Sequence, residues 1–219
     1  MVRFFKDNGL TIVLLLLFAA SILGQLFAGW RFENRELAQH GEPLLSLADY
    51  ARNPQFLSTV FENWESEFLQ MSAYVILTGF LFQRGSAESK DPDAPPRDAD
   101  LDAQAKAPGA PKPLRGGPML RWAYAHSLGL AMALLFGLSF LLHWVYSARA
   151  ASEEAKSHGD TAPGIADHLF EPQLWFESFQ NWQSEFLSTA VLVVLTIFLR
   201  QKESPESKPV AAPHGQTGN

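Results

Sequence analysis

Glu67 and Glu185 each lie in a copy of one motif, Phe61-Glu62-Asn63-Trp64-Glu65-Ser66-Glu67-Phe68-Leu69 and Phe179-Gln180-Asn181-Trp182-Gln183-Ser184-Glu185-Phe186-Leu187. On a helix turning about 100° per residue, Asn63, Ser66, Glu67 and Gln70 share one face, and Asn181, Ser184, Glu185 and Ser188 share the matching face of the second copy. Phe61, Trp64 and Phe68 fall opposite, as do Phe179, Trp182 and Phe186. Where the two polar faces meet, two carboxylates in a partly desolvated site do not both keep full charge, and a shared proton or a bridging cation relieves the repulsion. That chemistry suits a proton or cation pathway. The competing reading is structural. Each carboxylate hydrogen-bonds Asn or Ser, the polar stripe locks helices together, and Trp64, Phe68, Trp182 and Phe186 become interfacial aromatics.

A second constellation is His40, Asp49, His158 and Asp167, two imidazoles and two carboxylates of the kind a hard or borderline metal accepts. Their spacing matches no ligand signature, and His40-Gly41 and His158-Gly159 read equally well as turns kept by both copies. The chain has no cysteine, which excludes disulfides and thiolate metal sites. It carries no nucleophile elbow, Walker loop, glycine-rich dinucleotide turn or zinc-protease helix. No cofactor is expected, and the chain is not expected to be an enzyme. A metal-dependent membrane enzyme is a third alternative that rests on the histidines alone. With 17 Lys and Arg against 23 Asp and Glu, the net charge of −6 argues against a nucleic-acid partner.

The elements that must position these residues follow from a duplication. At a constant offset of about 118 positions, the chain from near Phe4 to Lys90 matches the chain from near Trp122 to Lys208, with roughly thirty identities. Leu10 to Trp30 is almost wholly apolar and long enough to span a bilayer. Behind Arg3 and Lys6 it resembles a secretory leader, but Leu128 to Tyr146 aligns with it, and an internal copy is not a cleaved leader. Both read as retained spans. Pro54 and Pro172 each follow a polar residue, where proline opens a helix. Helices of about thirty residues, or about 45 Å, are expected from there to Gln83 and Gln201. Their apolar parts, Phe68 to Phe82 and Phe186 to Leu199, cover only about 22 Å of a roughly 30 Å hydrocarbon core, which draws the motif into the outer leaflet.

The connections differ in character. Residues 85–120 and 203–219 are rich in Pro, Ala and alternating charge, hold few bulky apolar residues, and are expected to be a disordered cytoplasmic linker and a disordered tail. Residues 4–84 and 121–202 are then two repeats of two spans each. The ends and the linker hold about twelve Lys and Arg against about five in the loops after the first and third spans, which places both termini in the cytoplasm.

The Asn-Trp-Glu/Gln-Ser-Glu-Phe-Leu core, the two-span repeat and the Pro-rich link together resemble a family of small bacterial inner-membrane proteins defined only as a domain of unknown function. The resemblance covers nearly the whole chain outside linker and tail. It implies a bacterial integral membrane protein and implies no activity. Glu65 stands where the family-like motif has Gln, which adds a carboxylate to one half only. The expected architecture is all-α, an integral membrane four-helix bundle built from two parallel two-span repeats, multi-pass in the bacterial cytoplasmic (inner) membrane. Its surroundings are the lipid bilayer, and its expected partners are a second copy of the chain or another membrane protein. The expected function is a non-catalytic scaffold, sensor or interaction protein, with the proton or cation pathway through Glu67 and Glu185 as the alternative.

Overall fold

The computed structural model describes residues 2–161 and 164–218; Asn219, the last residue of the expected tail, lies outside them. Among the described residues there are eight α-helices and no strand. They are α1 (Val2–His40), α2 (Leu47–Tyr50), α3 (Pro54–Leu77), α4 (Leu101–Lys106), α5 (Pro118–Ala125), α6 (Ser127–His158), α7 (Ile165–His168) and α8 (Pro172–Phe198), with a 3-10 turn at Lys112–Arg115. The duplication reappears in the boundaries. Helices α1 and α6 end on the equivalent residues His40 and His158, α2 and α7 occupy equivalent stretches, and α3 and α8 open at Pro54 and Pro172.

Local causes repeat with the boundaries. Gly41 has φ 71° and Gly159 has φ 77°. The Glu42 N–H reaches Leu37 O at 2.9 Å, and the Asp160 N–H reaches Ala155 O at 2.8 Å. A left-handed glycine therefore closes each long helix by the same bonds. The next short helix in each copy buries one equivalent side chain, Tyr50 in α2 and His168 in α7.

Helix lengths depart from expectation in both directions. α1 runs for 39 residues, so most of the polar stretch after Trp30 is helical rather than loop. α3 has 24 residues and stops at Leu77 instead of Gln83. There the Thr78 hydroxyl donates to the carbonyls of Tyr74 at 2.8 Å and Val75 at 3.2 Å. Such back-bonding, followed by Gly79, favours termination. α8 has 27 residues and ends at Phe198. By length and composition two helices, Arg3–His40 and Ser127–His158, can cross a membrane. α3 and α8 fall short of that standard because the polar residues of the motif occupy their first half and the helices end early. Two of the four expected spans are therefore present as long apolar helices.

The chain forms two compact units. Met1–Phe61 and Leu142–Phe170 make the first. In it the Trp30 indole donates to Leu45 O at 2.8 Å, Asn34 brackets Leu45 by donating to its carbonyl at 3.0 Å and accepting from its N–H at 2.7 Å, and the Trp144 indole donates to Ile165 O at 2.8 Å. The Phe61 and Tyr146 rings stack at 5.7 Å.

Glu62–Leu141 and Glu171–Asn219 make the second unit. Here the described residues of the linker and tail, 85–120 and 203–218, carry polar local contacts. Gln83 to Lys90 and Gln201 to Lys208 fold into the same turn. In each, a serine hydroxyl accepts the glutamine N–H at 2.9 Å, Ser89 for Gln83 and Ser207 for Gln201. A second serine accepts the glutamate N–H, Ser86 for Glu88 at 3.1 Å and Ser204 for Glu206 at 3.2 Å. The third position of each turn is left-handed, Gly85 at φ 83° and Glu203 at φ 66°. The final lysine curls onto backbone carbonyls: Lys90 onto Gly79, Lys208 onto Gly85, His214 and Gln216. Further along the linker, Asp100 caps α4 by accepting the Ala103 N–H at 2.9 Å, and Arg121 pairs with Asp102 at 2.7 Å. These contacts are side chain to backbone bonds, which need no apolar core and which composition does not register.

Candidate functional site

The candidate site lies in the second unit, where the 62–77 part of α3 faces α8. Four pairings form a ladder. The Asn181 amide donates to Glu62, the Trp182 indole donates to Glu65 Oε1 at 2.9 Å, the Glu67 and Glu185 carboxyls lie within hydrogen-bonding contact, and the Gln70 amide donates to Thr189. The pairings advance in the same direction along both helices, so the two run parallel. On α8 the contributing positions follow i, i+4 and i+8, the spacing that keeps residues on one helical face.

Several sequence-predicted residues fall elsewhere. Ser66 and Ser184 do not bridge helices; each hydroxyl turns back to the carbonyl three residues earlier, Asn63 at 2.9 Å and Asn181 at 2.8 Å. Glu67 is exposed, while its neighbour Glu65 is 0 % exposed. The aromatic stripe also divides. Trp182 turns inward to Glu65 and into a ring cluster, 5.2 Å from Phe179 and 6.4 Å from both Phe136 and Trp175. Phe186 stays exposed, and Trp64 and Phe68 are half-buried. An indole is apolar except for its N–H, and a carboxylate on the facing helix satisfies that donor better than lipid does.

His40, Asp49, His158 and Asp167 are not assembled into a centre. His40 and His158 donate through Nδ1 to Glu36 O and Glu154 O, each at 2.9 Å. Asp49 accepts the Ser46 hydroxyl at 2.6 Å, and Asp167 sits against Gly164. Among the described residues no group of three or more His, Asp or Glu is placed to hold a metal. The two histidines end helices, where an imidazole near the last carbonyls is favoured.

Sequence reasoning left Glu62, Thr189, Glu88 and Glu206 out of its candidate residues and noted Glu65 only as an added carboxylate. Glu88 and Glu206 are equivalent residues of the repeated turns, and their carboxyls also lie within hydrogen-bonding contact. The signal was present, since the internal match extends to Lys90 and Lys208, past the predicted spans.

This is an all-α protein of duplicated helical pattern, with a polar ladder between two of its helices. The chain belongs to the family described as Domain of unknown function (DUF6766), which it matches over residues 1–219. No curated protein matches it, and no solved structure does.

Proposed function

We propose that this protein is a four-span integral protein of the bacterial cytoplasmic membrane, both termini inside, acting without catalysis as a scaffold or sensor. The α3/α8 ladder joins the two copies, and the outer faces are left for lipid and for a membrane-protein partner or second copy. The observation that carries this reading is the unburied apolar surface: none of the apolar window of α1 and 17 % of that of α6 is covered by protein. Water penalises such surface at about 25 cal/mol per Å². The polar ladder supports it too, because parallel helices in lipid associate through hydrogen bonds and packing rather than through hydrophobic burial.

Topology is tested with single cysteines in a chain that has none of its own. Glu42 and Asp98 are exposed and avoid the left-handed glycines at 41 and 85. Glu42→Cys is expected to react with a membrane-impermeant maleimide in permeabilised-envelope cells, and Asp98→Cys only after the inner membrane is broken. Reaction of Asp98→Cys from outside overturns the arrangement.

A second reading, a proton or cation pathway, is favoured by one observation, the contact between the Glu67 and Glu185 carboxyls. Two equivalent acids from the two copies meet where a proton or cation between them removes their repulsion. Proteoliposomes containing a pH-sensitive dye separate the readings. Proton or cation flux that Glu67→Gln with Glu185→Gln reduces at least tenfold supports the pathway, and flux equal to that of empty vesicles leaves the scaffold.

A further inference from the structure

The repeated turns at the ends of α3 and α8 bring together chemistry that the ladder does not use. Glu88 and Glu206 occupy the same place in the two copies, and their carboxyls lie within hydrogen-bonding contact. The Tyr74 hydroxyl donates to Glu88 Oε2 at 2.5 Å. Glu88 Oε1 is buried and accepts no hydrogen bond from the described residues. Two ionised carboxylates are both acceptors and offer each other nothing, so the donor this arrangement lacks is a proton on one of them.

The surrounding cations do not take that place. Lys90 directs its ammonium to Gly79 O and over the Phe82 ring. Lys208 faces carbonyls of its own tail and of Gly85, Arg200 donates to carbonyls of α8, to Leu199 O and to Ala212 O, and Arg84 pairs with Asp93. The adjoining cavity is lined by Glu88 itself together with Asp91, Asp98, Lys90 and Arg97, so beside Glu88 the charges balance.

We infer that Glu88, Glu206 and the Tyr74 hydroxyl form a proton-binding site that clasps the two capping turns together. One proton held between the acids ties turn to turn, and its loss leaves two like charges in contact and opens the clasp. The first turn is already tied to the second copy beside the acids: the Lys208 ammonium of the second turn donates to Gly85 O, the Ser86 hydroxyl meets that of Thr196 in α8 at 2.9 Å, and the Gly218 N–H of the tail donates to Ser86 O at 2.9 Å. Loss of the proton thus loosens the tail as well as the turns. Burial raises the Glu88 acid above the ordinary carboxylate range; the Tyr74 hydroxyl pulls the other way, and Glu206 adds to the rise. An acid raised in the folded state stabilises fully below its unfolded value, about 4.3 for Glu, and loses that contribution as pH climbs through the raised value. The clasp is therefore tightest in acid and loosens on the alkaline side.

The test is amide hydrogen exchange of the full chain in lipid nanodiscs between about pH 5 and about pH 8, corrected for intrinsic rates. Protection of residues 84–90 and 202–208 is expected to fall at least tenfold as pH rises. Glu88→Gln with Glu206→Gln replaces the shared proton by permanent amide donors and is expected to keep both turns protected throughout. An infrared band of a protonated carboxyl should titrate over the same range and be lost in that double variant. Protection that ignores pH in the parent overturns the proposal, as does pH dependence that survives in the double variant. A transition that moves with Na⁺ or Mg²⁺ at fixed pH also overturns it, in favour of a bridging cation.

Discussion

Glu65→Leu is expected to lower the unfolding temperature in detergent by several degrees, whereas Glu65→Gln should leave it close to that of the parent. Glu65 is 0 % exposed, and its Oε1 accepts the Trp182 indole N–H at 2.9 Å. Leucine offers no acceptor, so this indole bond is lost inside a half-buried ring cluster. A donor stripped of its acceptor costs about 1–3 kcal/mol, more than the net worth of an average bond, because the group stays desolvated. For a chain of this size each kcal/mol moves the midpoint by roughly 2–4 °C. Glutamine keeps a carbonyl oxygen at the same reach and removes only the charge. The second copy already carries Gln183 at the equivalent position, so the amide is compatible with this helix pattern. Tryptophan emission gives an independent reading, since Glu65→Leu should shift the Trp182 contribution and Glu65→Gln should not. Equal stability of the leucine and glutamine variants would show that the bond contributes nothing.

The asymmetry at position 65 also explains what the motif did and did not reveal. A helical wheel centred on Asn63, Ser66 and Glu67 places Trp64 and Trp182 on the far side, yet the contacting face of α3 runs through Glu62, Glu65 and Gln70, and that of α8 through Asn181, Trp182 and Thr189. Periodicity gives the faces of a helix but not which one a neighbour will cover. That choice depends on the partner, and a carboxylate opposite an indole N–H outweighs the preference of the ring for lipid. Glu67 and Glu185 occupy the same position on both wheels.

The duplication made other features legible for a physical reason: repeated sequence repeats its local causes. The glycines after His40 and His158 both become left-handed helix ends, and Pro54 and Pro172 both open helices, because these effects act within a turn or two of chain. The segments after α3 and α8 follow the converse logic. A count of apolar residues asks whether a segment can bury enough surface to offset chain entropy, and for Ser86 to Lys90 or Pro205 to His214 it cannot. It does not register serines that accept backbone N–H groups or cations that gather carbonyls. Those residues were identical between the copies, Ser-x-Glu-Ser-Lys in each, and a match preserved in a supposedly structureless region was itself the clue.

Lys208→Met should release the tail and raise amide exchange over residues 209–218 by at least tenfold, with α3 and α8 unaffected. Lys208 is 1 % exposed, and its ammonium reaches Gly85 O, His214 O at 2.8 Å, Gln216 O at 2.9 Å and, more distantly, Pro213 O at 3.4 Å. It is thus the charged point among those at which the second copy's tail is tied to the first copy's turn, beside the bonds of Gly85 N–H to Thr217 Oγ1 and of Gly218 N–H to Ser86 O. Methionine matches the length of the stem but donates nothing, so several carbonyls lose a cationic partner at once. Hydrogen bonds to a charged group contribute about 1.5–3 kcal/mol each. Loss of one such bond already corresponds to about a tenfold change in an opening equilibrium, since 1.4 kcal/mol is a factor of ten. Arg200, which donates to Ala212 O at 3.1 Å, keeps the start of the tail near α8, and the bonds at Thr217 and Gly218 hold its end. The expected loss is therefore uneven, greatest over the stretch between these anchors, 213–216. The same measurement on the parent chain sets the two accounts of this segment against each other. If composition governs, residues 209–218 exchange at the unprotected rate with or without Lys208, and the substitution changes nothing. If the ammonium organises the tail, the parent is protected and Lys208→Met is not.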